Sequence, residues 1–218
     1  MRARLALLWD RLHDERSGKV LVVSHCLLNE NVRYLGGAFR PGMVDEVVDQ
    51  ARRHGYGLSQ LPCPEQRAWG GVLKRSITPV LGAEGTLRYR VRRPLLWLFT
   101  WYSRLYYRWL ARRAAADVAD YQRSGFGVVG VMGVGGSPSC GVRRTLDLAA
   151  AVDAMAACPL AALERGTFNR DVVAANVIAG EGLFVAALRR ALRRRHVRVP
   201  FEEHDLLFEM QEHDPSER

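Results

Sequence analysis

The chain has 218 residues, of which 48% are hydrophobic and 25% charged, and a formal net charge of +9. These values are ordinary for a soluble globular protein. No run of about 18 apolar residues is present, which excludes a membrane-spanning helix, and the short apolar stretch after Met1 is unlike a signal peptide, so we expect a cytoplasmic protein.

The pattern of the first half alternates helices with strands. Residues 1–17 form an amphipathic N-terminal helical extension, followed by a strand over residues 19–24. A helix begins near Pro41 and ends at Gly55, and a second strand covers residues 57–61. The stretch from Lys74 to Arg93 fits no clear pattern.

The second half continues the alternation. It is predicted to contain a long aromatic, Arg-rich helix (94–123), a Val-rich strand (126–134), an Ala-rich helix and loop region (145–175), a helix (183–195), a short strand (197–201) and an acidic tail (202–218). We therefore expect a single α/β domain over residues 1–218, with a three-layer Rossmann-like fold, a mostly parallel sheet and helices on both faces.

Three of the four cysteines follow predicted strands. Cys26, Cys63 and Cys140 each lie within a few residues of a strand's carboxyl end, where ligands of open parallel sheets bind. If the strands are neighbours, the three thiolates converge, and such soft ligands favour zinc or an iron–sulfur cluster. Zinc would need a fourth ligand; His25 is adjacent to Cys26, but on a strand its side chain would point to the opposite face.

The segments that carry these cysteines resemble a known family. Residues 24–33, 60–65 and 135–141 resemble the three motifs of the 2-thiouracil desulfurase family, and residues 180–184 and 199–201 look closest to its branch of related desulfidases. The resemblance runs from about residue 19 to 201. It departs from the family at residues 88–113, which are more aromatic and richer in arginine.

The resemblance implies a 4Fe–4S cluster held by Cys26, Cys63 and Cys140 with one iron left open. The open iron would take the sulfur of a thiolated small molecule such as a thiouracil-like base. Water would then replace sulfur on the carbon, and sulfide would leave without net redox change. The implied protein is an iron–sulfur desulfidase.

Several polar residues are candidates for the remaining chemistry. Glu65, two residues after a cluster ligand, is a catalytic candidate that could move protons between water and the departing sulfur, since a carboxyl group near a dry cluster could have a raised pKa. Ser137 is the second catalytic candidate, although one serine of its loop could instead satisfy the backbone. The candidate substrate-binding residues are Asn29, Asn31, Arg33, Ser139 and Gly136, and the amides of Gly136 and Gly141 could also donate hydrogen bonds.

The charge and the long helix leave several partners open. The cationic side chains are 30 arginines and two lysines, a bias that a GC-rich coding sequence explains as well as phosphate binding does. A homodimer through residues 94–113 is the favoured interpretation of that helix; a membrane surface is second, and RNA stacking on its aromatic rings is third. The alternative to an enzyme is a non-catalytic iron–sulfur or zinc sensor that binds a partner.

Overall fold

A computed structural model describes residues 2–12, 14–159, 161 and 163–212. The strands of this part are β1 (Lys19–Val23), β2 (Gly57–Gln60), β3 (Gly127–Gly135), β4 (Arg144–Leu146), β5 (Val177–Ala179) and β6 (Phe201–Asp205). Four of them form the main sheet in the order β2-β1-β3-β6, while β4 and β5 form a separate antiparallel pair.

The helices of the described part alternate with these strands. They are α1 (Arg2–Arg11), α2 (His25–Leu28), α3 (Asp45–Arg53), α4 (Pro64–Ala68), α5 (Leu87–Arg123), α6 (Leu148–Ala157), α7 (Arg165–Thr167), α8 (Leu183–Arg193) and α9 (Leu206–Glu212). Short 3₁₀ segments cover Glu30–Val32, Arg75–Val80 and Ala174–Asn176, and Phe168–Val173 forms a π-helix.

All pairs of the main sheet are parallel, which confirms the predicted three-layer α/β fold. Val22 of β1 is in register with Ser59 of β2 and Val131 of β3. Because both faces of a parallel sheet are covered by helices, its central strands are apolar throughout. Val22 and Val23 are accordingly almost completely buried.

Helix α5 is longer than predicted. It begins at Leu87 rather than at residue 94, because the Thr86 side chain caps the amide of Tyr89 and Pro94 is accommodated inside the helix. It ends as predicted: Ser124 is the C-cap, and Gly125 follows with a φ of +85°. None of the described helices is long and apolar enough to cross a membrane.

Other boundaries differ from the predictions. The loop predicted after residue 26 starts as helix α2, and α3 begins at Asp45 rather than near Pro41. The last strand covers residues 201–205 instead of 197–201, because its register is fixed by pairing with β3, with Val131 opposite Phe201.

The first residues of the predicted acidic tail are ordered. Glu203 accepts hydrogen bonds from the amides of Val142 and Arg143 at 3.0 and 2.8 Å, and Arg144 forms ion pairs with Glu203 and Asp205. These cationic and amide partners explain why an acidic segment adds a strand and helix α9 to the fold. Residues 213–218 lie outside the described residues.

Candidate cluster and catalytic site

A cavity of about 510 Å³ lies beyond the carboxyl ends of β1, β2 and β3. Cys26, Cys63 and Cys140 all line it, together with Glu65 and Lys74. The three cysteines follow neighbouring strands of the sheet and none of them is in a disulfide. The structure thus brings the three predicted ligands to one cavity.

Each cysteine is held by a different local structure. Cys26 lies in the single turn of α2, and Cys63 is the N-cap of α4, where its Sγ accepts a hydrogen bond from the amide of Gln66 at 3.4 Å. Cys140 closes the loop that follows β3. His25 also lines the cavity, since it begins α2 instead of continuing β1; its expected position on the opposite face of a strand is therefore wrong.

Ser137 organises the loop that presents Cys140. Its Oγ accepts hydrogen bonds from the amides of Cys140 at 3.0 Å and Ser139 at 3.3 Å. The amides predicted to point at a ligand are already used, because Gly136 donates to the carbonyl of Arg144 and Gly141 donates to that of Ser137. Ser137 therefore satisfies the loop backbone.

The start of α8 clamps the same loop. The amides of Leu183 and Phe184 donate to the carbonyls of Pro138 and Ser139, both at 3.0 Å. A Cβ on Gly182 would lie 2.5 Å from the carbonyl oxygen of Ser139, so only glycine allows this approach. The segment 180–184 is thus a structural support for the cysteine loop.

Ser139, not Ser137, contacts the candidate acid–base residue. The Ser139 hydroxyl donates to Oε1 of Glu65 at 2.8 Å and also lies 3.6 Å from the Sγ of Cys140. The other carboxylate oxygen of Glu65, Oε2, pairs with the Nζ of Lys74 at 2.9 Å. Lys74, Glu65 and Ser139 therefore form a continuous polar chain that ends beside a candidate cluster ligand.

Lys74 is the site residue that sequence reasoning missed. It is 7% exposed and has a φ of +51°, a left-handed conformation that costs free energy for any residue with a Cβ. Its isolation was the available signal, since it is one of two lysines in a chain with 30 arginines.

Burial dominates the ionisation of the site. It raises the pKa of Cys26, raises that of Cys63 to about 12, and raises that of Cys140 well above its ordinary value; the nearby Glu65 carboxylate adds to each shift. Burial disfavours the Lys74 ammonium, but Glu65 and the neighbouring thiols more than offset this, and the pKa of Lys74 is raised.

Tyr107 is buried but is not one of the residues that line the cavity. The Oη of Tyr107, on α5, makes no hydrogen bond to any described residue, and the side chain is fully buried. Glu65, Cys140 and Cys63 are close enough to contribute, after burial itself, to a raised Tyr107 pKa.

The predicted substrate-binding residues of the first motif have different surroundings. Asn31 lines the cavity, whereas Asn29 does not. The side chain of Asn29 instead accepts a hydrogen bond from the backbone amide of Asn31 at 3.1 Å. Arg33 lines the cavity but pairs with Glu30 at 3.1 Å and Glu209 at 2.6 Å. Gly136 and Ser139 both line the cavity.

Most of the cavity surface is apolar. Side chains from the segment 72–81 and from residues 146–173 supply this part of the lining, including Leu73, Ile77, Leu148, Val152 and Met155. Ile77 and Leu148 pack in turn against the small cluster formed by Val80, Leu96 and Val152. The cavity therefore has two kinds of lining: thiols and charged groups at the strand ends, and a large apolar surface elsewhere.

Comparisons with known proteins give one short match. The chain is similar to an uncharacterized protein of Methanocaldococcus jannaschii, with 40% identity over 47 residues, which is 22% of this chain and 30% of that protein. No family model matches the chain. No solved structure matches it.

Proposed function

We propose that the protein is a 4Fe–4S-dependent desulfidase that converts a thiocarbonyl group of a small molecule to a carbonyl and releases sulfide. The observation that carries this proposal is one cavity lined by three free cysteines and by the Lys74–Glu65–Ser139 chain. Cysteines that only filled a core would not need a charged chain beside them.

The residues present fit such a cluster. Cys26, Cys63 and Cys140 would hold it, since all three are free thiols that line the same cavity. Three thiolates suffice for a cubane with one open iron, whereas zinc would need a fourth ligand, for which His25 also lines the cavity. Zinc is therefore the alternative that metal analysis must separate from the cluster.

When bound, a 4Fe–4S cluster supplies Lewis-acid activation of the thiocarbonyl carbon. The rest of the chemistry belongs to the chain. A carboxylate oxygen of Glu65 takes a proton from the attacking water and returns it to the departing sulfur, so that a thiocarbonyl and water give a carbonyl and hydrogen sulfide.

The neighbours of Glu65 fix this carboxylate in place. Ser139 donates to Oε1 and Lys74 binds Oε2, so each oxygen has a defined direction. Ser139 thus takes the role first considered for Ser137.

The lining also bears on the substrate. A thiouracil-like base fills only part of about 510 Å³, and the remaining surface is mostly apolar. We infer that the substrate is a thiolated small molecule with an apolar body and that the enzyme acts in the cytoplasm.

The test is anaerobic reconstitution followed by assay. We expect about four iron and four sulfide per chain, a brown protein, and release of sulfide from 2-thiouracil or its alkylated and arylated derivatives. A reconstituted cluster with no turnover of any thiocarbonyl compound would favour the sensor alternative, and a colourless protein with one zinc would contradict the cluster.

A further inference from the structure

The outer face of α5 carries largely exposed aromatic and apolar side chains, and the ring contacts of Tyr102 and Trp109 with Tyr106 lie within the helix itself. Six of these side chains are between 44% and 68% exposed: Trp97, Leu98, Trp101, Tyr102, Leu105 and Trp109. The opposite side of the helix is buried in the core through Leu96, Tyr107 and Leu110. At 1.5 Å per residue, the exposed stretch is roughly 20 Å long.

Arginines form the flank of this stretch. Arg104, Arg108 and Arg112 are exposed, follow one another at four-residue spacing, and form no salt bridge with a described residue. Residues 85–116 contain eight arginines and no aspartate or glutamate. We call the six apolar residues and these three arginines the tryptophan–arginine face.

We propose that the tryptophan–arginine face binds the surface of an anionic phospholipid bilayer. Tryptophan and tyrosine rings favour the headgroup region, leucines enter the acyl boundary, and arginines pair with lipid phosphates. The helix lies in the plane of the surface, with its buried side against the rest of the fold.

The charges argue against the other occupants. A two-fold dimer through this face would have to bury Arg104, Arg108 and Arg112 of both copies, and residues 85–116 offer no carboxylate to pair with them. Single-stranded RNA would use the rings and arginines but would leave Leu98 and Leu105 uncovered among them. A bilayer surface uses all three kinds of side chain.

The position of the face connects it with the cavity. Leu96 and Phe99 of α5 pack with Ile77, Val152 and Leu148, which are cavity-lining residues. A membrane that contacts the outer side of α5 is thus one helix away from the apolar part of the cavity. This proximity suits an apolar substrate, although the membrane proposal does not depend on the desulfidase proposal.

The experiment is flotation of the full-length protein with vesicles. Vesicles of phosphatidylcholine containing about 30% phosphatidylglycerol are compared with pure phosphatidylcholine vesicles. We expect binding to the anionic vesicles only, with a decrease as the salt concentration rises. The variant Arg104→Gln/Arg108→Gln/Arg112→Gln should weaken partitioning about a hundredfold, and Trp97→Ala/Trp101→Ala/Trp109→Ala should abolish it.

Two matched control variants test whether binding depends on this face or only on the number of arginines and exposed rings in the protein. Arg193→Gln/Arg194→Gln/Arg195→Gln removes the same charge from exposed positions at the end of α8, and Phe208→Ala removes an exposed ring on α9. Both controls should bind as the wild type does. Thermal unfolding should be unchanged in all variants, because every mutated side chain is exposed.

Failure to bind anionic vesicles overturns the proposal. So does a wild-type dimer in light scattering that the tryptophan variant converts to monomers without any vesicle binding. Equal loss of binding in the α8 control also overturns it, because the net charge and not this face would then be responsible.

Discussion

The two sides of the cavity are built on different principles. The strand-end side presents Cys26, Cys63, Cys140 and Glu65 on short turns that backbone hydrogen bonds and one buried ion pair hold in place. The apolar side comes from side chains of the segments 72–81 and 146–173, such as Leu73, Ile77 and Met155, which offer a ligand neither a charge nor a hydrogen bond. The difference separates fixed chemistry from adaptable recognition: reacting groups need defined directions, while an apolar body needs only space and surface.

The largest effect should come from the cysteines. Replacing Cys26, Cys63 or Cys140 by alanine removes a ligand, and we expect iron in the reconstituted protein to fall from about four per chain to near zero. Cys158→Ala is the matched control, because Cys158 is free but does not line the cavity. Full iron retention in any of the three single variants would break the proposed division of the cavity.

Next in size is the carboxylate. Glu65→Gln keeps the shape of the side chain but cannot move a proton, so kcat should fall about 10²- to 10⁴-fold while iron content stays constant. Glu164→Gln is the control, since Glu164 also lines the cavity but is exposed and makes no contact with Ser139. Equal losses in both variants would contradict the assignment.

Lys74 should have a smaller effect through its hold on Glu65. Lys74→Met leaves that carboxylate buried and unpaired, and we expect kcat to fall about 10- to 100-fold. The free energy of unfolding should fall by about 1–3 kcal/mol. The measurements are steady-state kinetics and denaturant unfolding of the same samples.

A matched variant separates position from charge. Lys74→Arg should recover stability better than kcat, because it restores the ion pair but presents a planar guanidinium group instead of the point charge 2.9 Å from Oε2 of Glu65. Wild-type kcat in Lys74→Met would show that Ser139 alone orients the carboxylate.

The apolar side predicts an effect on KM rather than on kcat. Leu73 and Leu81 line the cavity but are 56% and 38% exposed, so their replacement by serine should not unfold the protein. We expect KM for an aryl-substituted thiocarbonyl to rise about fivefold per substitution, with little change for 2-thiouracil itself. The control is Leu12→Ser, which replaces an exposed leucine outside the cavity. An equal change in kcat in the Leu73 or Leu81 variants would contradict the assignment of the apolar side to substrate binding.

The smallest expected effect is on stability at low pH and concerns Glu209 in helix α9. Burial acts to raise the pKa of Glu209, but the hydrogen bond with His204 and the charge of Arg33 more than offset it, giving a pKa of about 2. Arg40 also pairs with this carboxylate, and the Glu30 carboxylate shares both arginines.

A lowered pKa in the folded state stabilises the protein above the ordinary value of 4.5, and this contribution is lost as the pH falls toward 2. The free energy of unfolding of the wild type, measured by thermal unfolding, should therefore fall by about 1–2 kcal/mol as the pH is lowered through this range. Glu209→Gln should be less stable at pH 7 and should show a shallower acid decrease. An unchanged acid profile would mean that other carboxylates determine it.

Much of the site was predictable because its chemistry depends on local sequence. Cys26, Cys63 and Cys140 could be assigned to one edge, since each follows an apolar run and the carboxyl ends of parallel strands meet. Glu65 was predictable because it follows Cys63 by two residues in the sequence. The roles of Ser137 and Ser139 could not be divided, because two hydroxyls two residues apart differ only in which groups the folded loop brings to them.

The sequence by itself determined the alternation of strands and helices, the three cysteines at strand ends and the acid–base candidate, because periodicity and strand-end position are local properties. Only the tertiary structure decided that Lys74 is the partner of Glu65 and that Arg33 is engaged by Glu30 and Glu209. It also decided that an acidic segment forms the fourth strand of the sheet. These outcomes depend on which distant charges meet in a buried environment, and a buried charge is stable only where the fold supplies its partner.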